Sequence, residues 1–270
     1  DGDLMEGISH EVMSLAGHLK LRNLIVFFDN NKISIDGATS LSVSDNYKKR
    51  FEGYGWNFLE VNGHNEKQIS KAINKASKSN KPTLISCKTI IGFGSPNKSG
   101  KASSHGAPLG DKEIALVRKK LKWNSAPFET PKEILNAWRE IGKRGALSEQ
   151  KWEKIFKQKK SKFKSEFENT YVESNLKNLK DLIKREKIKY FESKPSMATR
   201  QCSSAAIESI SSILPQLIGG SADLSGSNNT KTNNSKVINS KNFDGNYIHY
   251  GVREHGMAAV MNGLALHSGF

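Results

Sequence analysis

Cysteine is nearly missing from this chain. Cys87 and Cys202 are the only two in 270 residues, and they stand in no metal or redox spacing. A disulfide scaffold and a zinc ribbon are therefore excluded, both cysteines are expected to be small packing residues, and a reducing, cytoplasmic setting is the default. Long apolar runs are missing too. No stretch approaches the roughly 18 consecutive apolar residues of a membrane helix, so no membrane partner is expected. Arginine is scarce: of 42 basic residues eight are Arg, although the net charge is +15. Such a charge suits a polyanion, but arginine is the usual base reader and bidentate phosphate clamp. The lysines are spread through amphipathic segments, with no RNA-binding aromatic signature, zinc-finger spacing or basic arm. The expectation is a solvated, lysine-rich surface and no nucleic acid partner. There is no signal peptide and no short-period internal repeat. The chain opens on Asp1 instead of Met and stops at Phe270 inside an apolar run. We therefore expect an internal fragment.

What is present is enough for a real core: 36% apolar residues, with 12 Phe and 4 Trp. The first stretch alternates helix and strand. Ile8, Val12, Leu15 and Leu19 recur at helical spacing over Glu6 to Leu19. Leu24 to Phe28 is a continuous apolar run ended by Asp29-Asn30-Asn31, which predicts a buried strand and a loop. Trp56 to Val61 predicts a second strand. Asn65 and Gln68 form a candidate capping pair, followed by a helical face of Ile69, Ala72, Ile73 and Ala76. Pro82 leads into a strand over Thr83 to Cys87. Helix and strand in alternation predict a parallel α/β sheet.

From Thr130 the character changes. Thr130, Pro131 and Glu133 predict a helix start with Thr at the N-cap. Residues 151–195 hold thirteen Lys and one Arg against seven acids, with sparse Trp152, Ile155, Phe156 and Phe163. This predicts exposed helices joining two domains. A second α/β unit follows, with a helix over Ala205 to Leu214 and a strand end and turn at Gly219 to Asp223. A polar loop over 225–240, a strand over Tyr247 to Tyr250 and a helix over Arg253 to Leu266 complete it. The predicted organisation is 1–122, 123–195 and 196–270.

Asp1-Gly2 stands before a helix, and Asn31 and Ile33 stand just past the next strand, so they gather at one sheet edge, where ligands of parallel α/β sheets bind. A carboxylate, an amide oxygen and a backbone carbonyl are hard donors suited to Mg²⁺ or Ca²⁺ carrying a diphosphate. Taken alone, these are common loop residues. The wider strings are more specific. Asp1-Gly2-Asp3-Leu4-Met5-Glu6-Gly7-Ile8-Ser9-His10-Glu11-Val12 and Asp29-Asn30-Asn31-Lys32-Ile33-Ser34-Ile35-Asp36-Gly37 strongly resemble the transketolase family. So do Cys87 to Lys98, His105-Gly106-Ala107-Pro108-Leu109-Gly110, Gly219 to Leu224 and Asn246 to Glu254, in that order. Between Asn97 and His105 the chain departs from the family, which more often has a Thr and an acidic residue there.

The resemblance implies two parallel-sheet domains that bind thiamine diphosphate, both incomplete here, joined by a helical linker. It implies a metal held by Asp1, the Asn31 side chain and the Ile33 carbonyl. Gly2 and Asn31 would approach the diphosphate, with Glu6 close by. His105 would sit near cofactor and substrate. Asp223 and Leu224 would flank the thiamine. Arg200 and Ser227 would grip the sugar phosphate. Glu254 would face the aminopyrimidine ring as the proton-handling carboxylate. The implied activity is reversible ketol transfer from a ketose phosphate to an aldose phosphate, in the pentose phosphate pathway, by a cytoplasmic homodimer with the cofactor between two chains. Dihydroxyacetone synthase, deoxyxylulose-phosphate synthase and a catalytically incomplete fragment are the alternatives. The other histidines (His10, His18, His64, His249, His255 and His267) are expected to be structural or on the surface.

Overall fold

The computed structural model describes residues 1–170 and 176–270; part of the expected 123–195 linker, residues 171–175, lies outside the described residues. The chain divides into two compact units. One comprises residues 1–124, 238–243 and 250–259, the other 125–237, 244–249 and 260–270. No helix among the described residues is long and apolar enough to cross a membrane.

In the first unit α1 (Gly7–His18) leads to β1 (Ile25–Asn30), then to a small antiparallel pair, β2 (Ile33–Ser34) and β3 (Gly37–Ala38). There follow α2 (Tyr47–Gly53), β4 (Asn57–Asn62), α3 (Glu66–Ala76), β5 (Thr83–Lys88) and α4 (Asp111–Lys120). The three long strands form a parallel sheet in the order β1-β5-β4, as the alternation of helix and strand predicts. Central β5 is buried from Thr83 to Cys87, because helices cover both its faces. Successive side chains point to opposite faces. Leu84 therefore joins Leu4, Ala16, Phe28, Tyr47, Phe51 and Trp56 on one side. Ile85 and Cys87 join Val61, Ala72 and Ala76 on the other. Phe51 meets Trp56 edge-on at 5.4 Å between ring centres. Helix α1 lies so close to the turn before β4 that a Cβ on Gly17 would stand 1.7 Å from the Tyr54 carbonyl oxygen.

Some local details differ from expectation. Asn65 does cap α3, its Oδ1 accepting from Gln68 N–H at 3.0 Å. The Gln68 side chain does not close the box on Asn65. It accepts instead from Asn62 N–H, at 2.8 Å, and so ties the helix to the end of β4. Ile73 is 40% exposed, at the margin of the apolar face.

The second unit begins with α5 (Lys132–Lys157), α6 (Ser161–Thr170), α7 (Leu176–Ser193) and α8 (Thr199–Ser211). Helix α5 has no buried residue. Trp152 and Phe156 stack at 5.0 Å, and Phe167 of α6 lies 5.2 Å from Phe156. Pro131, not Thr130, occupies the cap of α5 (φ −51°, ψ 139°), and no side chain bonds there. Its ring fixes φ but leaves ψ free to be extended, so the helix begins one residue later. Helix α8 begins before Ala205 and ends before Leu214, since the residue preceding Pro215 disfavours helical backbone. Cys202 lies exposed on α8 and is not the buried packing residue expected. A short parallel pair, β6 (Gly219–Ser221) and β7 (Tyr247–His249), closes the unit, with α9 (Ser225–Asn228) between them. Helix α10 (Glu254–His267) follows, its first part belonging to the first unit.

Candidate functional site

Strands β1 and β5 end level, Asn30 opposite Lys88, so the loops after both leave at the C-terminal edge of the sheet. That edge is where a parallel sheet presents ligand-binding groups. The Thr89 hydroxyl donates to Asp29 Oδ1, and Asn31 Nδ2 reaches Asp29 Oδ2 at 3.5 Å. Asn31 Oδ1 accepts from Ile33 N–H at 2.9 Å, closing a turn in which Lys32 takes a left-handed φ of 65°. Asp1 Oδ2 accepts from Lys32 N–H at 3.2 Å. Asp1, Asn31 and Ile33 are thus brought together from positions thirty residues apart. The other Asp1 oxygen, Oδ1, is out of solvent and has no hydrogen-bond partner among the described residues. A buried carboxylate oxygen without a partner is unfavourable unless a cation or donor meets it. Asn31 Oδ1 also keeps a second lone pair.

No cluster of three or more His, Cys, Asp or Glu gathers among the described residues. A cation here would rest on one carboxylate, an amide, a carbonyl and oxygens from outside the protein. That donor set is all oxygen and fits Mg²⁺ or Ca²⁺. Gly2 opens a 3₁₀ turn (Gly2–Leu4), and nothing lies within 4 Å of where its Cβ would be, so that space is free for a ligand. Glu6 is exposed at the N-cap of α1 and bonds no helix N–H through its side chain.

His105 ends a 3₁₀ turn (Ala102–Ser104) in the long loop after β5, with its ring exposed. This loop is well tied. Lys98 Nζ donates to the Leu109 carbonyl at 2.9 Å, and Ser104 Oγ to the Lys98 carbonyl at 2.6 Å. The loop starts beside a cavity of about 660 Å³ at the ends of β4 and β5. His64 borders it, stacked on Phe93 at 4.1 Å, and its Nε2 accepts from Ile90 N–H at 3.0 Å. His10 is also held by a neighbour, its Nδ1 lying 3.1 Å from the Tyr54 hydroxyl. Cys87 is buried, and burial, then Asp29, pushes its thiol above the usual range, so it is an inert packing residue.

Glu254 is the exposed first residue of α10. The helix start is fixed by α1. Glu11 Oε2 accepts from Gly256 N–H at 2.7 Å, and Arg253 donates to Ser14 Oγ at 3.0 Å and to the Tyr250 carbonyl at 2.7 Å. A Cβ on Gly256 would lie 3.1 Å from Glu11 Oε2, so this close approach favours glycine.

The remaining residues lie in the second unit. Asp223 takes a left-handed φ of 64° just past β6. Aspartate tolerates that region better than most residues, and such outliers cluster at functional sites. Ser221 Oγ, buried, accepts from Leu224 N–H at 3.1 Å and from Asn228 Nδ2 at 3.2 Å, which holds the turn. Ser227 is exposed in α9 and Arg200 is exposed in the first turn of α8. Sequence reasoning passed over Asp29, Thr89, Glu11, Ser14 and Glu113. Glu11 and Asp29 stand inside the strings that carry the resemblance, but no local pattern marks their long-range partners.

Residues 1–177 match the family model for the thiamine diphosphate binding domain of transketolase, and residues 195–270 the model for its pyrimidine binding domain. The chain belongs to the transketolase family. A transketolase of Buchnera aphidicola is 49% identical over the whole chain, which covers 41% of that protein. A transketolase of Sinorhizobium medicae is 46% identical, and the chain covers 39% of it. The crystal structure of a Pichia stipitis transketolase in complex with sedoheptulose-7-phosphate superposes with a TM-score of 0.88 at 35% identity, over all of this chain and 41% of that one. The chain thus spans about two fifths of the length of the transketolases it matches.

Proposed function

We propose that the intact protein transfers a two-carbon ketol unit reversibly from a ketose phosphate to an aldose phosphate, as a cytoplasmic transketolase of the pentose phosphate pathway. The observation that carries this is the unpartnered Asp1 oxygen beside Asn31, at the C-terminal sheet edge of the matched thiamine diphosphate domain. Asp1, Asn31 and the Ile33 carbonyl would hold Mg²⁺ or Ca²⁺, and the open flank of Gly2 would admit the diphosphate. Thiamine diphosphate, when bound, supplies the nucleophilic carbon and the electron sink that cleavage of the ketose C2–C3 bond requires.

The chain's own residues orient and move protons. Glu254 holds its carboxylate at a helix start braced by α1 and would share a proton with the aminopyrimidine nitrogen. His105 would assist proton movement at the substrate oxygens. Asp223 and Leu224 would flank the thiamine, and Glu6 would stand near the metal side. Arg200 stands at the positive end of α8, where its own charge is unfavourable but a sugar phosphate would be welcome, and Ser227 would add a small donor. The active form would be a homodimer, with metal-side residues from one chain and Glu254 from the other.

The test uses the intact protein with xylulose and ribose phosphates, thiamine diphosphate and Mg²⁺. Turnover should depend on the metal. Asp1→Ala removes the single anionic protein ligand and should abolish Mg²⁺-dependent retention of thiamine diphosphate in calorimetry. Unchanged cofactor affinity in that variant would move the metal site elsewhere.

A further inference from the structure

The loop that carries His105 runs from the end of β5 to α4, and one buried carboxylate holds its near half. Glu113, in the first turn of α4, is 8% exposed. Its Oε1 accepts from the Ser95 hydroxyl at 2.5 Å and from Asn97 N–H at 2.9 Å, and its Oε2 from Asn97 Nδ2 at 2.9 Å. Ser95, 1% exposed, is a relay: its Oγ in turn accepts from Lys98 N–H at 3.0 Å. Lys98 then reaches across the loop to the Leu109 carbonyl, while its own carbonyl receives the Ser104 hydroxyl, next to His105. Gly92 closes the far side, where a Cβ would lie 2.8 Å from Ser104 Oγ. The chain of contacts runs from Glu113 through Ser95 and Lys98 to the residue before His105.

We propose that Glu113 is a positioning residue that sets the place of the His105 imidazole by fixing Ser95, Asn97 and Lys98. The catalytic purpose of this device rests on the role given to His105 above. Three donors on one buried carboxylate are a specific arrangement, since a buried charge is tolerated only when its lone pairs are met. The Ser95 hydroxyl, both amide groups of Asn97 and the nearby Lys98 charge hold the Glu113 pKa down to about 2. The anchor is therefore a carboxylate throughout the neutral and mildly acid range. Its contribution is complete above the ordinary glutamate pKa and is lost as pH falls towards about 2. A helix first-turn acid that only answered the α4 dipole would not need Ser95 or Asn97.

The test compares Glu113→Gln with the native intact protein. Glutamine keeps the shape but sets an NH₂ group against the Asn97 NH₂, so donor faces donor. Amide hydrogen exchange over residues 95–109 should quicken roughly 10- to 100-fold, the scale of a lost bond to a charged group. Exchange over 83–88 should not change. The NMR signal of the His105 ring should move towards that of free histidine. Turnover should fall as it does in His105→Ala, the double variant should be no worse, and thiamine diphosphate affinity should hold. Adding Asn97→Asp to Glu113→Gln restores a donor–acceptor match and should recover the His105 signal in part. An unchanged His105 signal and loop exchange in Glu113→Gln would overturn the positioning role. Native turnover in His105→Ala would instead overturn the reading of His105, and with it the catalytic purpose of the anchor.

Discussion

The sheet of the first unit and the helices over 132–193 use apolar residues in opposite ways. Around β5 they are removed from water almost completely: Leu84, Ile85 and Phe51 are each 0% exposed. Along α5, Trp138, Leu147, Trp152 and Ile155 are all at least half exposed. Burial, and with it the stiffness needed to aim a side chain, is concentrated beneath the sheet edge. The polar groups of that edge are bonded to one another in advance, as Asp29, Thr89 and Asn31 show. On α5 the ion pairs, such as Lys143 with Glu140, join side chains that are at least half exposed. Pairs of that kind add little to stability. The difference separates a part whose polar groups are held in place from a part whose side chains stand exposed.

The largest expected effect tests whether chemistry belongs to the braced edge. Glu254→Gln should leave the helix start intact, because Glu11 and Ser14 hold Gly256 and Arg253, not Glu254. In the intact protein kcat should fall by roughly 10²–10⁴, the usual range for acid–base catalysis. Circular dichroism and oligomer size should match the native protein. A kcat within a fewfold of native would return Glu254 to the status of an ordinary helix-end carboxylate.

A direct break of the comparison follows from truncating one apolar residue in each region. Phe51→Ala leaves a cavity between Trp56 and Leu84 and should destabilise the first unit by about 3–5 kcal/mol. Ile155→Ala, at a position 57% exposed, should change stability by no more than about 0.5 kcal/mol. Urea unfolding followed by far-UV signal would read both. Similar losses at the two positions would show that α5 is covered in solution.

Much of the first unit is legible in its sequence because its signals are local. The runs over Leu24 to Phe28 and Thr83 to Cys87 both become strands, paired in parallel, but β1 extends through Asn30, into the expected loop, and is not buried throughout, since Phe27 is 50% exposed. Helix α2 is less legible, since seven residues are too few for a helical repeat to show. The donor trio Asp1, Asn31 and Ile33 is visible as a set of residue types. What the sequence does not show is the free oxygen on Asp1, which depends on how Lys32 turns. Nor does it show Glu113 beneath the His105 loop, because a first-turn glutamate is ordinary until its partners are known. Long-range hydrogen bonds leave no periodic trace. The missed half of the cap at Asn65 has a local cause: Asn65 N–H already donates to the Asn62 carbonyl at 3.0 Å, and the Gln68 side chain meets Asn62 N–H instead.

The smallest expected effect compares the helix starts of the two regions. Helix α3 is capped by the Asn65 side chain, which accepts from Gln68 N–H at 3.0 Å. Asn65→Ala removes that acceptor and should cost about 1 kcal/mol. Helix α5 has no such bond, because Pro131 stands at its cap. The Pro131 backbone, φ −51° and ψ 139°, already has the extended geometry that a capping serine adopts. Pro131→Ser would thus supply the missing acceptor, worth about 0.5–2 kcal/mol. It would also free the unfolded chain from the proline ring, which costs about 0.4–1 kcal/mol. The two terms nearly cancel, so the net change in urea unfolding should stay below about 1 kcal/mol while Asn65→Ala stands clearly apart from native. A gain well above that from Pro131→Ser would mean that the start of α5 is under strain, and that its weakness lies in its first turn instead of its exposed apolar face.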